Sequence, residues 1–380
     1  MRRLVPAAAA GLLCGILLVV WGWRQWTGPQ PVPVGRQMGQ VVRLDVPAGA
    51  TWAAAADTLV ARGLLRDARI LTTGVRLTGR DRDLKAGLYD LAYGQSVRDM
   101  VAGLTSGSTV RIRVTIPEGW DAVRTARAVG EAMGFLPERF LAAADSLVRR
   151  RARDAGLLGG AQAVAAYDSI LAGESETQGR PFHWCEGYLA PDTYLFGAGT
   201  GAETVAGHLI ATQLQRLAET PAPREGGPTA GWTPHQLLTL ASIVEAEARQ
   251  DRERPAIAAV YTNRLAEGWR LEADPTVAFA LDKKGERLFH RDLRVDSAFN
   301  TYRRPGLPAG PIGNPGVASL AAAARPDESC RAMFFVSDGA DGHVFSRTVQ
   351  EHQRAVEEFK RIRSRQRQEE RERESSGGVE

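Results

Sequence analysis

Cysteine is nearly absent from these 380 residues. Three occur, Cys14, Cys185 and Cys330, too few for a disulfide scaffold or a four-ligand zinc site, and no C-x-x-C pair is among them. Histidine is sparse too: His183, His208, His235, His290, His343 and His352 lie far apart with no H-E-x-x-H, so neither a metal nor another cofactor is expected. A G-x-S-x-G elbow, a Walker loop and a Rossmann glycine fingerprint are all missing, which sets aside the chemistries they serve. Charge of one sign is also lacking. The formal net charge is only +4 and the arginines are scattered, so nucleic acid is not an expected partner.

What is present is ordinary globular composition, 44% hydrophobic and 24% charged, in a chain long enough for two or three domains. Its one long apolar run comes first. Met1-Arg2-Arg3 precedes "AAAAGLLCGILLVVWGW", residues 7–23, just long enough to span a bilayer. The leading arginines place the N-terminus in the cytoplasm, and Trp21 and Trp23 suit the far interface. A cleaved signal peptide is the competing reading, but bulky Trp and Arg stand where a small-residue cleavage site belongs. Leu13 also replaces the small residue that a lipidated Cys14 would require. The expectation is an uncleaved anchor over residues 1–25 in the inner (plasma) membrane, with the rest extracytoplasmic. Cys185 and Cys330 could pair there, although separate buried thiols are the simpler reading.

Residues 26–40, rich in Pro and Gly without periodicity, read as a linker. A half-repeat follows. "LDVPAGATWAAAADTLVARGLL" (44–65) and "VTIPEGWDAVRTARAVGEAMGF" (114–135) each give an apolar strand, Pro-x-Gly and an amphipathic helix closed by Gly. Between them lie a strand at 88–92 and a helix ending at Gly103. The pattern predicts an α+β fold with a small module at 41–110, a second module and helical connector at 111–180, and a mixed α+β domain at 181–361. Within that last region helices are expected at 203–219, 234–249 and 253–266, a strand near 269–273, and a hairpin around "GADG". The final stretch, 362–380, has no apolar face and reads as frayed or disordered.

Chemistry has to be sought among carboxylates and asparagines in Gly- and Pro-dense loops. "TLASIVEAEAR" (239–249) carries Glu245 and Glu247 on a helix that Thr233-Pro234-His235-Gln236 should start with a capping box. The helical wheel does not separate the two. Both lie roughly 80° from the centre of the apolar face, so each alone reads as a solvated edge glutamate. An edge carboxyl works as an acid only when other elements cover it. Asp274 and Asn314 each precede a Pro and a helix, so each reads as an N-cap. Asp192 fits a turn, while Asn300 and Tyr302 open the loop "RRPGLPAGPIGNPG". Together, these amide, hydroxyl and aromatic groups suit the walls of a sugar-binding cleft.

Five blocks, "EGYLAPDTYLF", "LASIVEAEA", "YTNRL", "LEADPTV" and "FNTYRRPGLPAGPIGNPGVASLAAAARP", resemble in order and spacing the endolytic murein transglycosylases, the MltG or YceG-like family. The strand and Pro-x-Gly modules resemble that family's LysM-like part. The resemblance implies an inner-membrane enzyme cutting nascent peptidoglycan glycan strands, with Glu245 as the catalytic glutamate. It places Asp192, Tyr194, Asn263, Asp274, Thr276, Asn300, Tyr302 and Asn314 at the substrate, and Pro311 in the long loop. Where the family pattern has a second Pro, this chain has Ala309. Lytic cleavage of a MurNAc–GlcNAc bond needs a proton for the leaving oxygen and then a base for the MurNAc 6-hydroxyl, and one carboxyl can serve both in turn. Peptidoglycan synthases (penicillin-binding proteins) are further candidate partners. Two alternatives stay open: a lysozyme-like muramidase pairing Glu245 with Asp192 or Asp274, and a non-catalytic cell-wall scaffold.

Overall fold

The computed structural model describes residues 20–107 and 110–376. Mixed α+β architecture is observed, with helices dominant and three two-stranded sheets among the described residues. Two compact units are present. One comprises Met1–Val114 and Tyr194–Gly201, the other Thr115–Thr193 and Ala202–Glu380.

In the first unit, residues 20–27 are helical (α1). Most of the expected span, residues 7–19, lies outside the described residues, and among those described no helix is long and apolar enough to cross a membrane. Strand β1 (Val41–Val46) pairs antiparallel with β2 (Gly87–Ala92), Leu44 opposite Tyr89. Between them run α2 (Trp52–Ala61) and α3 (Ala68–Leu77), and α4 (Val97–Ser106) follows. Each helix begins where a short polar side chain offers an oxygen to an otherwise unpaired N–H: Thr51 to Ala54, Asp67 to Arg69, Ser96 to Asp99. Alternation along both strands turns Leu44, Val46, Tyr89 and Leu91 inward, onto Trp52, Leu59, Leu71, Met100 and Leu104. Trp26 packs on Gly74, where an added Cβ would fall 1.9 Å from the indole ring.

Strands β3 (Arg111–Ile116) and β4 (Asp192–Gly197) pair with each other, and the unit boundaries fall inside them. The second unit holds α5 (Ala122–Met133), α6 (Pro137–Ala155), α7 (Ala161–Gln178), α8 (Ala202–Glu219), α9 (Pro234–Glu247), α10 (Arg254–Ala266), α11 (Asp274–Ala280) and α12 (Val317–Ala324). Beyond Val114, the stretch read as a second small module is therefore part of this larger unit. Its apolar face shows why. Phe140, Leu141, Ala144 and Val148 of α6 are buried, and α6 packs on α8 as well as α5 and α7. Helix α9 packs against α10, α11 and α12.

Hairpin β5 (Phe334–Ser337) and β6 (His343–Ser346) turns through the expected Gly/Asp residues, and Asp338 accepts the Ala340 and Gly342 N–H groups. No strand forms at 269–273. Glu272 sits at φ 49°, and the backbone there bonds instead to Arg264 and Thr301. Helix α13 (Val349–Ser376) also departs from expectation by continuing through most of 362–380. Its run of Arg, Gln and Glu has high helix propensity even without an apolar face to bury. Both Cys185, buried, and Cys330 are free thiols.

Candidate active site

Helix α9 starts with the reciprocal cap read from sequence. The Gln236 N–H donates to Thr233 Oγ1 at 3.2 Å, and the Thr233 N–H donates to Gln236 Oε1 at 2.9 Å. Leu238, Leu240, Ala241, Ile243 and Val244 are buried, which fixes the rotation of the helix and so where its last turn points. That turn delivers Glu245, whose side chain is only 7% exposed. Arg254 Nη1 donates to Oε1 at 3.0 Å and the Gly316 N–H donates to Oε2 at 2.9 Å. Arg254, the first residue of α10, is itself buried. Burial works against its charge, and the carboxylates of Glu245 and Asp251 outweigh it. Both carboxyl oxygens therefore accept, one of them from a guanidinium in a charge-assisted bond.

The other wall comes from "IPEGW", residues 116–120, where β3 ends. Asn314, fully buried, clamps this loop. Its backbone N–H and Nδ2 both donate to Trp120 O, at 2.8 and 2.7 Å, its carbonyl accepts the Gly119 N–H at 2.8 Å, and its Oδ1 accepts the Leu189 N–H at 2.9 Å. Gln213 Nε2, on α8, fastens the next residue by donating to Pro315 O. Gly119 takes φ 74°, left-handed backbone that suits glycine. A Cβ there would come 3.6 Å from Glu245 Cγ. The preceding Glu118 lays its carboxyl on Gly316, and burial together with the charge of Glu245 pushes that carboxyl upward from its usual range.

Glu247 is no solvated edge residue either. The Tyr261 hydroxyl donates to it at 2.9 Å. Burial pushes its carboxyl up to about 7, the Tyr261 hydrogen bond opposes this, and the charge of Asp274 adds to it. Asp274 is the first residue of α11 rather than its cap and accepts from the Tyr302 hydroxyl at 2.6 Å. Glu247, Tyr261, Asp274 and Tyr302 thus form a second polar cluster at the other edge of α9.

The remaining candidates are held by the fold. Asn263 Nδ2 donates to Cys330 O and Ala332 O, both at 3.0 Å, fixing the approach to β5. Thr276 bonds to Thr301 inside the protein, and Asn300 Nδ2 caps the carbonyls of Leu293 and Val295. Asp192 is exposed and paired with Arg216. Tyr194 belongs to the first unit, stacked with Phe196. Pro311 is buried, its ring against the position a Cβ on Gly187 would take. Of the predicted set, the structure brings only Asn314 to the Glu245 carboxylate, and it does so through Gly316 and the loop. Arg254, Gly316 and Glu118 were missed. The one sequence signal was the parallel between "PAG" and "PEG" in the half-repeat, where only the second copy carries a carboxyl.

The sequence model of the YceG-like family matches residues 44–358. The chain belongs to the YceG-like family. Among curated relatives, a Bacillus subtilis (strain 168) protein named endolytic murein transglycosylase is 29% identical over 329 residues, 86% of this chain and 87% of its own. Proteins of the same name from Streptococcus pneumoniae are 28% identical over 339 residues. The chain spans 60% of those longer relatives. The crystal structure of the yceG-like protein lmo1499 from Listeria monocytogenes is 28% identical, with a TM-score of 0.51 over 83% of this chain and 99% of that one. In this YceG-like chain Glu245, Arg254, Asn314 and Gly316 all fall within the matched span.

Proposed function

We propose that this chain is an endolytic murein transglycosylase, cutting MurNAc–GlcNAc bonds within glycan strands and leaving 1,6-anhydro-MurNAc ends. The likeness to the Bacillus subtilis relative of that name across 86% of the chain carries the proposal. The geometry around Glu245 supports it. A carboxylate set by a buried guanidinium and a backbone N–H is preorganised to face the positive charge that develops at C1. It is also placed to accept the proton of the entering 6-hydroxyl. That nucleophile belongs to the substrate, so its effective concentration is high and water is a poor competitor.

The βααβ order of β1, α2, α3 and β2 supports reading the first unit as the LysM-like, glycan-holding part. We assign the chain a single-span anchor in the inner membrane. Supporting this, Trp21 and Trp23 are largely exposed beside the apolar run. Peptidoglycan synthases working near that surface are the partners such tethering would favour.

The test is product analysis. Purified glycan strands are digested with the full chain in detergent and the fragments weighed. Internal cuts with 1,6-anhydro ends, one water lighter than reducing ends, are expected. A majority of borohydride-reactive MurNAc ends would instead identify a muramidase, and no release at all a binding scaffold.

A further inference from the structure

Glu118 has no part in the chemistry assigned to Glu245, yet the charge of Glu245 acts on it directly. The turn that carries it is locked through Gly119 and Trp120 to Asn314. Its side chain is exposed where Glu245 is covered, so it is open to a substrate. Both carboxyls meet the same residue. The Gly316 N–H donates to Glu245 at 2.9 Å. An alanine Cβ on Gly316 would lie 1.8 Å from Glu118 Oε1 and 2.8 Å from its Oε2. Their surroundings push them apart in character. Glu245 accepts from a guanidinium and a backbone N–H, whereas Glu118 takes no hydrogen bond among the described residues. Partial desolvation and the charges of Glu245 and Asp251 favour the protonated form of Glu118, with Arg254 and Arg216 opposing. Neighbouring carboxyls whose environments separate them in this way commonly divide acid and base work.

We propose that Glu118 is the proton donor to the leaving oxygen and that Glu245 is the base for the entering 6-hydroxyl. This rests on the transglycosylase reading and divides between two side chains the two proton transfers assigned from sequence to Glu245 alone. In the step, the C1–O4 bond breaks and O4 takes the Glu118 proton. The C1–O6 bond forms and the O6 proton passes to Glu245. No water is consumed, and returning a proton from Glu245 to Glu118 through solvent resets the site. The leaving and entering oxygens occupy the same face of the sugar ring, so adjacent carboxyls on one wall can serve one each.

A substrate whose leaving group needs no proton separates the roles. The full chain in detergent is assayed on glycan strands and on the 2,4-dinitrophenyl glycoside of GlcNAc-MurNAc. Glu118→Gln should lose about 10²-fold or more on strands, the usual scale of general acid catalysis. On the dinitrophenyl substrate it should stay within about three-fold of the parent. Glu245→Gln should fail on both. Gly316→Ala supplies an independent variant. Its backbone, at φ −78° and ψ 174°, suits alanine, and the new Cβ displaces only the far end of Glu118. It should follow the Glu118→Gln pattern with unchanged melting. A Glu118→Gln enzyme within about three-fold of the parent on strands, or equally impaired on both substrates, overturns the assignment. A parent enzyme yielding no 1,6-anhydro ends overturns the underlying reading instead, and this shows before any variant is made.

Discussion

At the scale of single residues, Glu245 and Glu247 show what a helical wheel can and cannot tell. Two residues apart, they lie on opposite edges of α9, and nothing along the helix distinguishes them. Their partners come from elsewhere: Arg254 and Gly316 for one, Tyr261 for the other. Those contacts lead to different expectations. Glu245→Gln removes the carboxylate while keeping size and one acceptor, so cleavage should fall roughly 10²–10⁴-fold. Folding is also affected, because Arg254 stays buried with the exposed Asp251 as its remaining salt-bridge partner among the described residues. Deleting one member of a buried pair costs about 3–5 kcal/mol at most sites. The surviving amide acceptor should hold the loss near or below the lower end, seen as a lower Tm. Activity within about ten-fold of the parent, assayed well below that Tm, would rule Glu245 out as the central carboxylate.

Glu247→Gln tests a pH effect on stability. A carboxyl pushed up to about 7 in the fold, from an ordinary value of 4.5, holds its proton more tightly folded than unfolded. Its contribution is fully present below 4.5 and is lost as the pH rises from there to about 7, with little further change above. Buried Glu186, accepting the Ala122 N–H and likewise pushed up to about 7 by burial, acts with the same sign. Buried His235, lowered to about 4, acts with the opposite sign over the same range, so the Glu247 effect is read as a difference: relative to the parent, the Tm of Glu247→Gln should rise between pH 4.5 and 7. An unchanged slope would mean that Glu247 ionises freely in the folded protein.

Among elements, helices were the most legible. The Thr233 capping box, the start of α11 next to Pro275 and the hairpin turn all follow from local rules that operate within a few residues. What failed was local logic applied to residues with distant partners. Asn314 looks like a cap before Pro315, yet α12 is capped by Gly316, and Asn314 ties together Trp120 and Leu189 across long sequence separations. Asp274 likewise meets Tyr302 rather than its own helix. Strand 269–273 failed because Arg264 and Thr301 offered the backbone other partners. Asn314→Ala follows from this clamp. It strands the buried Leu189 N–H and leaves the Trp120 carbonyl with one donor fewer, at about 1–3 kcal/mol for each group left unsatisfied. The variant should melt lower. Assayed cold, it should also cut more slowly, since the loop that carries Glu118 and Gly119 is then held to residue 314 by backbone bonds alone. Full activity with a lowered Tm would show that the loop keeps its place without the clamp.

For the molecule as a whole, the repeated strand and Pro-x-Gly pattern suggested two related small modules, and the two copies of the pattern fall in different compact units. The core of the first lies wholly between Leu44 and Leu104. Trp52 Nε1 donates to Arg80 O, and the Tyr89 hydroxyl donates to Lys85 O, so its large polar-tipped side chains are also satisfied locally. Residues 194–201 join this unit at its edge, where the Ala198 carbonyl accepts the Leu88 N–H and the Ala198 N–H donates to Val110 O. The second copy of the pattern lays its helix α5 on α6, which packs in turn on α8, beginning at Ala202. A composition-level reading weighs the two alike, because it counts apolar residues without knowing what covers them. A fragment of residues 26–107 should therefore fold alone, at a size where single cores are marginal but sufficient. Circular dichroism should show helix and a cooperative melt. A fragment of residues 115–193 should instead be largely unfolded, because α8, one of the helices that α6 packs on, is missing. A non-cooperative first fragment would mean that the core from Leu44 to Leu104 needs the rest of the chain, and a cooperative second one would restore the two-module reading of the sequence.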